Sequence, residues 1–134
     1  MKELKIPAII DNLDTMIDFI IDTTAELSLE NRVISKLRLM SEEALVNIIN
    51  YGYPDKTGDI LIRCEMTEKR KLFVQIIDWG IEFNPLDKDD PDITLPMEER
   101  GIGGLGIFMV KTIMDTVEYN YSEGKNILTM TKIL

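Results

Sequence analysis

A carboxylate and a carboxamide stand four residues apart in the segment 41–52, as Glu43 and Asn47. In a helix, side chains at this spacing project into the same space, with Cβ atoms about 5–6 Å apart. The other positions of the segment are mostly apolar, which is typical of a buried helix. A buried carboxylate beside a buried amide is costly unless both find partners, and a ligand with a metal ion would supply them. The alternative is a helix with one solvated edge, on which a polar stripe is ordinary.

A second carboxylate, Asp78, continues the alternation of Leu72, Val74 and Ile76, so it falls on a strand face that is otherwise apolar. A carboxylate held there accepts a hydrogen bond from an exocyclic amino group or from a water. Gly80 leaves room for a ligand ring to approach the backbone. The simpler interpretation is an aspartate that caps a turn.

Glycines crowd the segment 100–106, Arg-Gly-Ile-Gly-Gly-Leu-Gly, which leads directly into a helical apolar pattern at 107–115. Each glycine inside a helix costs about 1 kcal/mol relative to alanine. At a helix start, however, free backbone N–H groups bind phosphate. The segment lacks the Lys-Ser/Thr pair of a P-loop and the preceding strand of a dinucleotide fingerprint. A flexible joint is therefore the alternative.

Composition narrows the possible chemistry. The net charge of -9 argues against a nucleic-acid partner. The absence of histidine leaves general base catalysis to carboxylates and excludes the Ser-His-Asp and Cys-His schemes. Cys64 is the single cysteine and is predicted to pack in the core.

No stretch approaches the ~20 apolar residues of a membrane span, and the N-terminus lacks a signal-like apolar region, so we expect a cytoplasmic protein. A chain of 134 residues predicts one domain, 1–134.

Local patterns predict the elements that position these residues. In order they are a strand at 4–10, a helix capped by Asp11, a helix at 30–51, two antiparallel strands joined at the basic run Lys69-Arg70-Lys71, a long loop at 84–100, a helix at 107–115 and a hairpin ending at 133. The acidic residues of the loop lack the spacing of an EF-hand. A solvated loop is the simpler interpretation, although loops of this length in small domains are often lids.

Three motifs, taken in order, resemble the N, G1 and G2 boxes of Bergerat-fold (GHKL) ATP-binding domains. They are Glu43-x-x-x-Asn47 with Tyr51-Gly52, Asp78-x-Gly80 with Phe83-Asn84-Pro85, and Gly103-Gly104-Leu105-Gly106-Ile107. Tyr51 stands where many relatives have histidine, and Glu82 where the general G1 box has its second glycine. The segment 99–107 and the last hairpin look most like the anti-sigma factor serine/threonine-protein kinases. The implied fold is α+β, a two-layer α/β sandwich whose mixed, mostly antiparallel sheet is covered on one face by about three helices.

The resemblance also implies roles for individual residues. Glu43 would be the general base, and Asn47 would give its carbonyl oxygen to Mg²⁺. Asp78 would meet the adenine amino group, and Gly80 would admit the base. The backbone amides of the glycine-rich segment would hold the phosphates; its members are Gly103, Gly104, Leu105 and Gly106. Arg100 would reach the γ-phosphate, and 84–102 would form the ATP lid.

The function implied is that of a Mg-ATP-dependent serine kinase. Its substrate would be a seryl hydroxyl on an anti-sigma factor antagonist of the STAS type, and it would sequester a sigma factor or another regulator. A homodimer is also implied. The alternative is a module that holds ATP as a structural or switch ligand, or holds none, and acts only by docking partner proteins.

Overall fold

The computed structural model describes residues 1–54, 57–87 and 105–134. The described helices are α1 (Leu13–Asp22), α2 (Asn31–Tyr51) and α3 (Leu105–Ile113), and the described strands are β1 (Lys2–Pro7), β2 (Asp59–Thr67), β3 (Lys71–Asp78), β4 (Thr116–Ser122) and β5 (Lys125–Ile133). The strands form one sheet in the order β1-β2-β3-β5-β4. Every pair of neighbouring strands in these ranges is antiparallel. The predicted α+β sandwich is confirmed.

Alternation along the strands fixes which face of the sheet meets the helices. Every second residue of β2 from Ile60 to Cys64 is buried, and so is every second residue of β3 from Leu72 to Asp78. The apolar residues of this face join residues of α1, α2 and α3 in one core. Within α1, the buried residues Met16, Ile17 and Ile20 recur at helical spacing and so share one face. Cys64 is completely buried in the core, as predicted.

The opposite face of the sheet carries no helix of the described part of the chain. At one end of it, the Lys5 ammonium lies 4.9 Å from the ring centre of Trp79. Trp79 is 40% exposed, although the preceding residue, Asp78, is buried on the other face. The two side chains diverge because successive residues of a strand point to opposite faces.

The approach to α1 differs from the prediction. Asp11 does not cap the helix, because residues Ile10–Asn12 form a 3-10 turn and place Asn12 at the N-cap position. The Asn12 side chain makes no cap bond there; its Nδ2 instead donates to the Pro7 carbonyl, 2.9 Å away. The first strand ends at Pro7 rather than at residue 10.

The turn between β2 and β3 falls at the basic run, as predicted. Lys69 has φ 63° and Arg70 has φ 60°. Three residues, Glu68–Arg70, join the paired strand ends Thr67 and Lys71. Two of the three are basic residues in a backbone conformation that non-glycine residues adopt at a cost. No helix in the described residues is long and apolar enough to cross a membrane.

Candidate functional site

A pocket opens where β3 ends beside the C-terminal half of α2. It is lined by Ala44, Asn47, Ile48, Gly52, Ile76, Asp78, Ile81, Phe83, Pro85, Tyr119, Asn126 and Leu128. The free space within it, including its open mouth, is about 360 Å³. Its enclosed part is narrow, about 20 Å³, which is room for roughly one water molecule. The enclosed part is therefore too narrow for a planar ring unless side chains at the mouth move aside.

Asp78 forms the polar floor of this pocket. Only 3% of its surface is exposed. Its Oδ1 accepts hydrogen bonds from the Gly80 backbone N–H and from Asn126 Nδ2, both at 2.9 Å. Burial raises the pKa of the Asp78 carboxyl, while these two donors act to lower it. Within the described residues both bonds end on Oδ1, so Oδ2 is available to a ligand.

Asn126, the second residue of β5, is the centre of the hydrogen-bond network around Asp78. Its Nδ2 donates to Asp78 Oδ1 and, at 2.9 Å, to the Ile81 carbonyl. Its Oδ1 accepts from the Phe83 N–H at 3.1 Å and from the Tyr119 hydroxyl. Asn126 is 5% exposed and uses all of its hydrogen-bonding capacity. The residue therefore fixes both the carboxylate and the backbone that follows it.

The mouth of the pocket is aromatic. The rings of Tyr51 and Phe83 stack with centroids 5.5 Å apart and an angle of 24° between their planes. Tyr51 is 40% exposed and Ile81 is 58% exposed. Ile81 and Phe83 line the pocket, and Tyr51 stacks on Phe83.

Gly52 and Gly80 bring the end of α2 against the end of β3. A Cβ on Gly80 would lie 2.2 Å from the Gly52 carbonyl oxygen, a distance that no backbone arrangement tolerates. The same oxygen accepts the Ile81 N–H at 3.0 Å. The missing side chain of Gly80 is thus required by the fold itself, and its predicted place beside a base stays a prediction.

Glu43 lies one helical turn before Asn47, facing the start of α3. Glu43 and Asn47 are both half-buried, and in the described part of the chain neither side chain has a hydrogen-bond or ion-pair partner. Loss of solvent raises the pKa of the Glu43 carboxyl, and the charge of Glu42 raises it further. A Cβ on Gly106 would lie 2.6 Å from Glu43 Oε2. The glycine thus lets the first turn of α3 close on the carboxylate.

Part of the predicted site lies outside the described residues. Arg100, Gly103 and Gly104 fall there, as does most of the predicted lid, 84–102. Leu105 is described as the first residue of α3. The structure therefore brings together Asp78 and Asn47 in one pocket, with Glu43 and Gly106 next to each other one turn of α2 away.

The donor set near Asn47 fits Mg²⁺ held chiefly by a nucleotide. Mg²⁺ commonly takes one or two protein oxygens together with phosphate oxygens and waters. Asn47 offers one carboxamide oxygen that no described group occupies. The described residues contain no cluster of three or more His, Cys, Asp or Glu side chains able to hold a metal ion on their own. Asn47 is thus the protein ligand expected of such a site.

The helix-covered antiparallel sheet, with a buried aspartate at a strand end and a polar pair on the neighbouring helix, has the α+β architecture that the resemblance to Bergerat-fold ATP-binding domains implies. The model of the histidine kinase-like ATPase domain family matches residues 6–132. The chain belongs to this family.

Several curated relatives carry the same description. The chain is 32% identical over 105 residues to the serine-protein kinase RsbW of Bacillus cereus (strain AH820), covering 75% of this chain and 64% of the relative. The same identity and coverage relate it to RsbW of Bacillus anthracis and of Bacillus thuringiensis (strain Al Hakam). The chain thus spans less than two thirds of the length of these relatives.

Solved structures support the fold. The structure of the RsbU and RsbW domains of Rv1364c from Mycobacterium tuberculosis matches 98% of this chain and 32% of that chain, with a TM-score of 0.62 and 14% identity. The blue-light activated histidine kinase EL346 of Erythrobacter litoralis matches 91% of this chain and 42% of that chain, with a TM-score of 0.61 and 14% identity. At this identity, the likeness shows the fold alone.

Proposed function

We propose that residues 1–134 form a single ATP-binding domain that acts as a Mg-ATP-dependent protein serine kinase of the anti-sigma factor type. The observation that carries the proposal is the pair Glu43 and Asn47, two half-buried polar side chains that the described residues leave without partners beside a pocket floored by Asp78. Similarity to RsbW serine-protein kinases supports the choice of protein serine as acceptor. A cytoplasmic homodimer acting on a STAS-type antagonist, and sequestering a sigma factor or another regulator, completes the proposal.

In this proposal the described residues divide the work of phosphoryl transfer. Asp78 Oδ2 accepts a hydrogen bond from the adenine amino group, while Asn126 holds Oδ1. Asn47 gives its carboxamide oxygen to Mg²⁺, which when bound neutralises charge on the phosphates. The backbone amides at 103–106 and the guanidinium of Arg100 hold the phosphates.

Glu43 then accepts the proton of the attacking seryl hydroxyl. A bond forms between the seryl oxygen and the γ-phosphorus, the bond from that phosphorus to the β,γ-bridging oxygen breaks, and ADP leaves. Loss of solvent makes Glu43 a stronger base than an exposed glutamate because its pKa is raised.

Replacing the base tests the kinase assignment. Glu43→Gln should lower phosphate transfer from ATP to purified STAS-type proteins of the same organism by about 10²–10⁴-fold. The affinity for ATP, measured by calorimetry with and without Mg²⁺, should change little. Glu118→Gln is the matched control, because it removes one exposed carboxylate from β4. Transfer by Glu43→Gln at the wild-type rate would overturn the assigned role.

The nucleotide site has a separate test. Asp78→Asn should abolish ATP binding in the same titration, because the amide presents an N–H where the adenine amino group needs an acceptor. If wild-type protein binds ATP in a Mg-dependent way but transfers nothing, the docking module with ATP as a structural or switch ligand is the better description. If it binds no ATP at all, the ATP-independent docking module replaces the kinase.

A further inference from the structure

A second cleft lies on the helix-covered side of the molecule, between α2, α3 and the end of β5. Its enclosed volume is about 510 Å³. The floor is apolar and comes from Val33, Leu37, Leu39, Met109 and Ile113. A neighbouring cleft shares Arg32, Val33, Lys132 and Leu134 with it and extends it toward the β2–β3 turn. We call the two together the basic groove.

The charge of the basic groove is opposite to that of the whole chain. Arg32, Lys36, Arg70 and Lys132 line it, whereas Glu30 is the one acidic side chain among its lining residues. The net charge of the chain is -9. Cations so concentrated in an acidic protein create a local positive field that an anionic partner can reach.

Ion pairs neutralise part of the charge of the groove. Arg32 pairs with Glu30 at 3.2 Å, and both side chains are more than 70% exposed. Lys132 pairs with Asp115 at 3.3 Å, also in contact with solvent. In the described part of the chain, the four cations of the groove thus face two acidic partners, so the groove keeps a net positive charge. Within the described residues, the exposed side chain of Lys36 has no ion-pair partner.

The strained β2–β3 turn adds to this basic end of the molecule. Lys69 and Arg70 both hold positive φ, which non-glycine residues adopt at a cost. Arg70 lines the groove while its Nε donates to the Leu134 carbonyl at 2.7 Å. Lys71 and Asp78 are the two ends of β3, whose eight residues span roughly 23 Å. The basic turn is thus remote from the proposed adenine site.

We propose that the basic groove docks an acidic, amphipathic segment of another protein. The cations match acidic side chains, and the apolar floor matches apolar side chains recurring at helical spacing. A nucleic acid or a simple polyanion would use the cations but leave the apolar floor uncovered. The groove lies away from Asp78, so docking does not require the proposed kinase activity.

Binding of a designed peptide tests the proposal. The probe is a fluorescein-labelled peptide with leucines at positions i, i+3, i+4 and i+7 and glutamates elsewhere, titrated by anisotropy without ATP. We expect saturable binding that weakens as NaCl rises from about 0.05 M to about 0.5 M. A scrambled peptide of the same composition should bind at least about tenfold more weakly, because its leucines no longer share one face.

Charge reversal locates the binding surface. Lys36→Glu alone, and the pair Lys36→Glu with Lys132→Glu, should weaken peptide binding by about tenfold or more. Lys36→Glu is informative by itself because the side chain is exposed, so the change should leave the folded structure intact. Lys2→Glu, an exposed lysine on β1, is the matched control and should bind as the wild type does. Asp78→Asn should also bind the peptide normally, which separates this proposal from the nucleotide site.

Several results would overturn the proposal. These are absence of peptide binding, binding that ignores the Lys36→Glu and Lys132→Glu changes, and equally tight binding of polyglutamate or oligo(dT). Self-association that the charge reversals abolish would also overturn it, since the occupant would then be a second copy of the chain.

Discussion

At the scale of single residues, the buried carboxylate of Asp78 lowers the stability of the folded state at neutral pH, and it is also the residue proposed to bind the nucleotide. Burial raises the pKa of its carboxyl above the ordinary value, so the folded state holds this proton more tightly than the unfolded state does. As pH rises from the ordinary pKa through the raised one, the folded state loses stability relative to the unfolded state. At neutral pH the ionised carboxylate therefore opposes folding.

Removing that charge should stabilise the protein while ending nucleotide binding. In Asp78→Asn the side-chain oxygen still accepts from Gly80 N–H and Asn126 Nδ2, and the buried charge is gone. We expect a melting temperature at pH 7 equal to or above that of wild type, measured by circular dichroism. Asp11→Asn, at an exposed position, controls for the loss of one negative charge. A large fall in melting temperature for Asp78→Asn would show that the ionised form is structurally required.

The pH profile of transfer should report Glu43. The proton acceptor must be ionised, and its pKa is raised first by burial and then by the charge of Glu42. The rate should therefore fall as pH is lowered, with its midpoint above the ordinary value for glutamate. Glu42→Gln removes the neighbouring charge and should move the midpoint to lower pH. A midpoint that does not move would mean that Glu42 has no influence on the base.

At the scale of elements, the absence of a side chain at Gly106 sets how closely the start of α3 approaches the Glu43 carboxylate of α2. Gly106→Ala adds a Cβ that would lie 2.6 Å from Glu43 Oε2, and the flexible carboxylate must turn away. Alanine is favoured over glycine in a helix by about 1 kcal/mol, so the variant should be as stable as wild type or slightly more stable.

Phosphate transfer should fall in Gly106→Ala as it does in Glu43→Gln, because the first change displaces the carboxylate that the second removes. The two measurements are urea unfolding and the transfer assay. Loss of stability without loss of transfer would mean that Gly106 serves packing alone.

Local patterns predict most of these elements but not the contacts between them. The alternation through Leu72, Val74 and Ile76 places Asp78 on the core face, and the structure confirms it. Asn126 escapes prediction, because its importance comes from the β3–β5 register that sets it opposite Asp78. A pairing between residues so distant in sequence leaves no local signal. The predicted cap at Asp11 is wrong because residues Ile10–Asn12 form a 3-10 turn, so that α1 begins at Leu13.

Gly80 likewise shows that the local sequence predicts a close approach to the backbone but not the group that approaches. Sequence explains Gly80 by the approach of a ligand, whereas the structure shows the Gly52 carbonyl occupying the position of its missing Cβ. Close approach is the correct physical reason in both accounts. Which group approaches is decided by the tertiary fold.

At the scale of the whole molecule, Cys64 should report global unfolding. It is completely buried in β2, and burial raises the pKa of its thiol to about 12. The exposed thiolate is the nucleophile that attacks the disulfide of Ellman's reagent, so native protein at pH 8 should react only as fast as it unfolds. Urea-unfolded protein is the control and should react immediately. Fast reaction of the native protein would mean that β2 opens locally.

Trp79 gives the molecule an optical probe of the face that the described helices leave uncovered. Its indole lies under the Lys5 ammonium, on the side of the sheet away from the pocket floored by Asp78. Its emission spectrum should therefore respond when another molecule covers this face, and much less when a nucleotide enters the pocket. One intrinsic fluorophore thus separates events on the two sides of a single sheet, without any added dye.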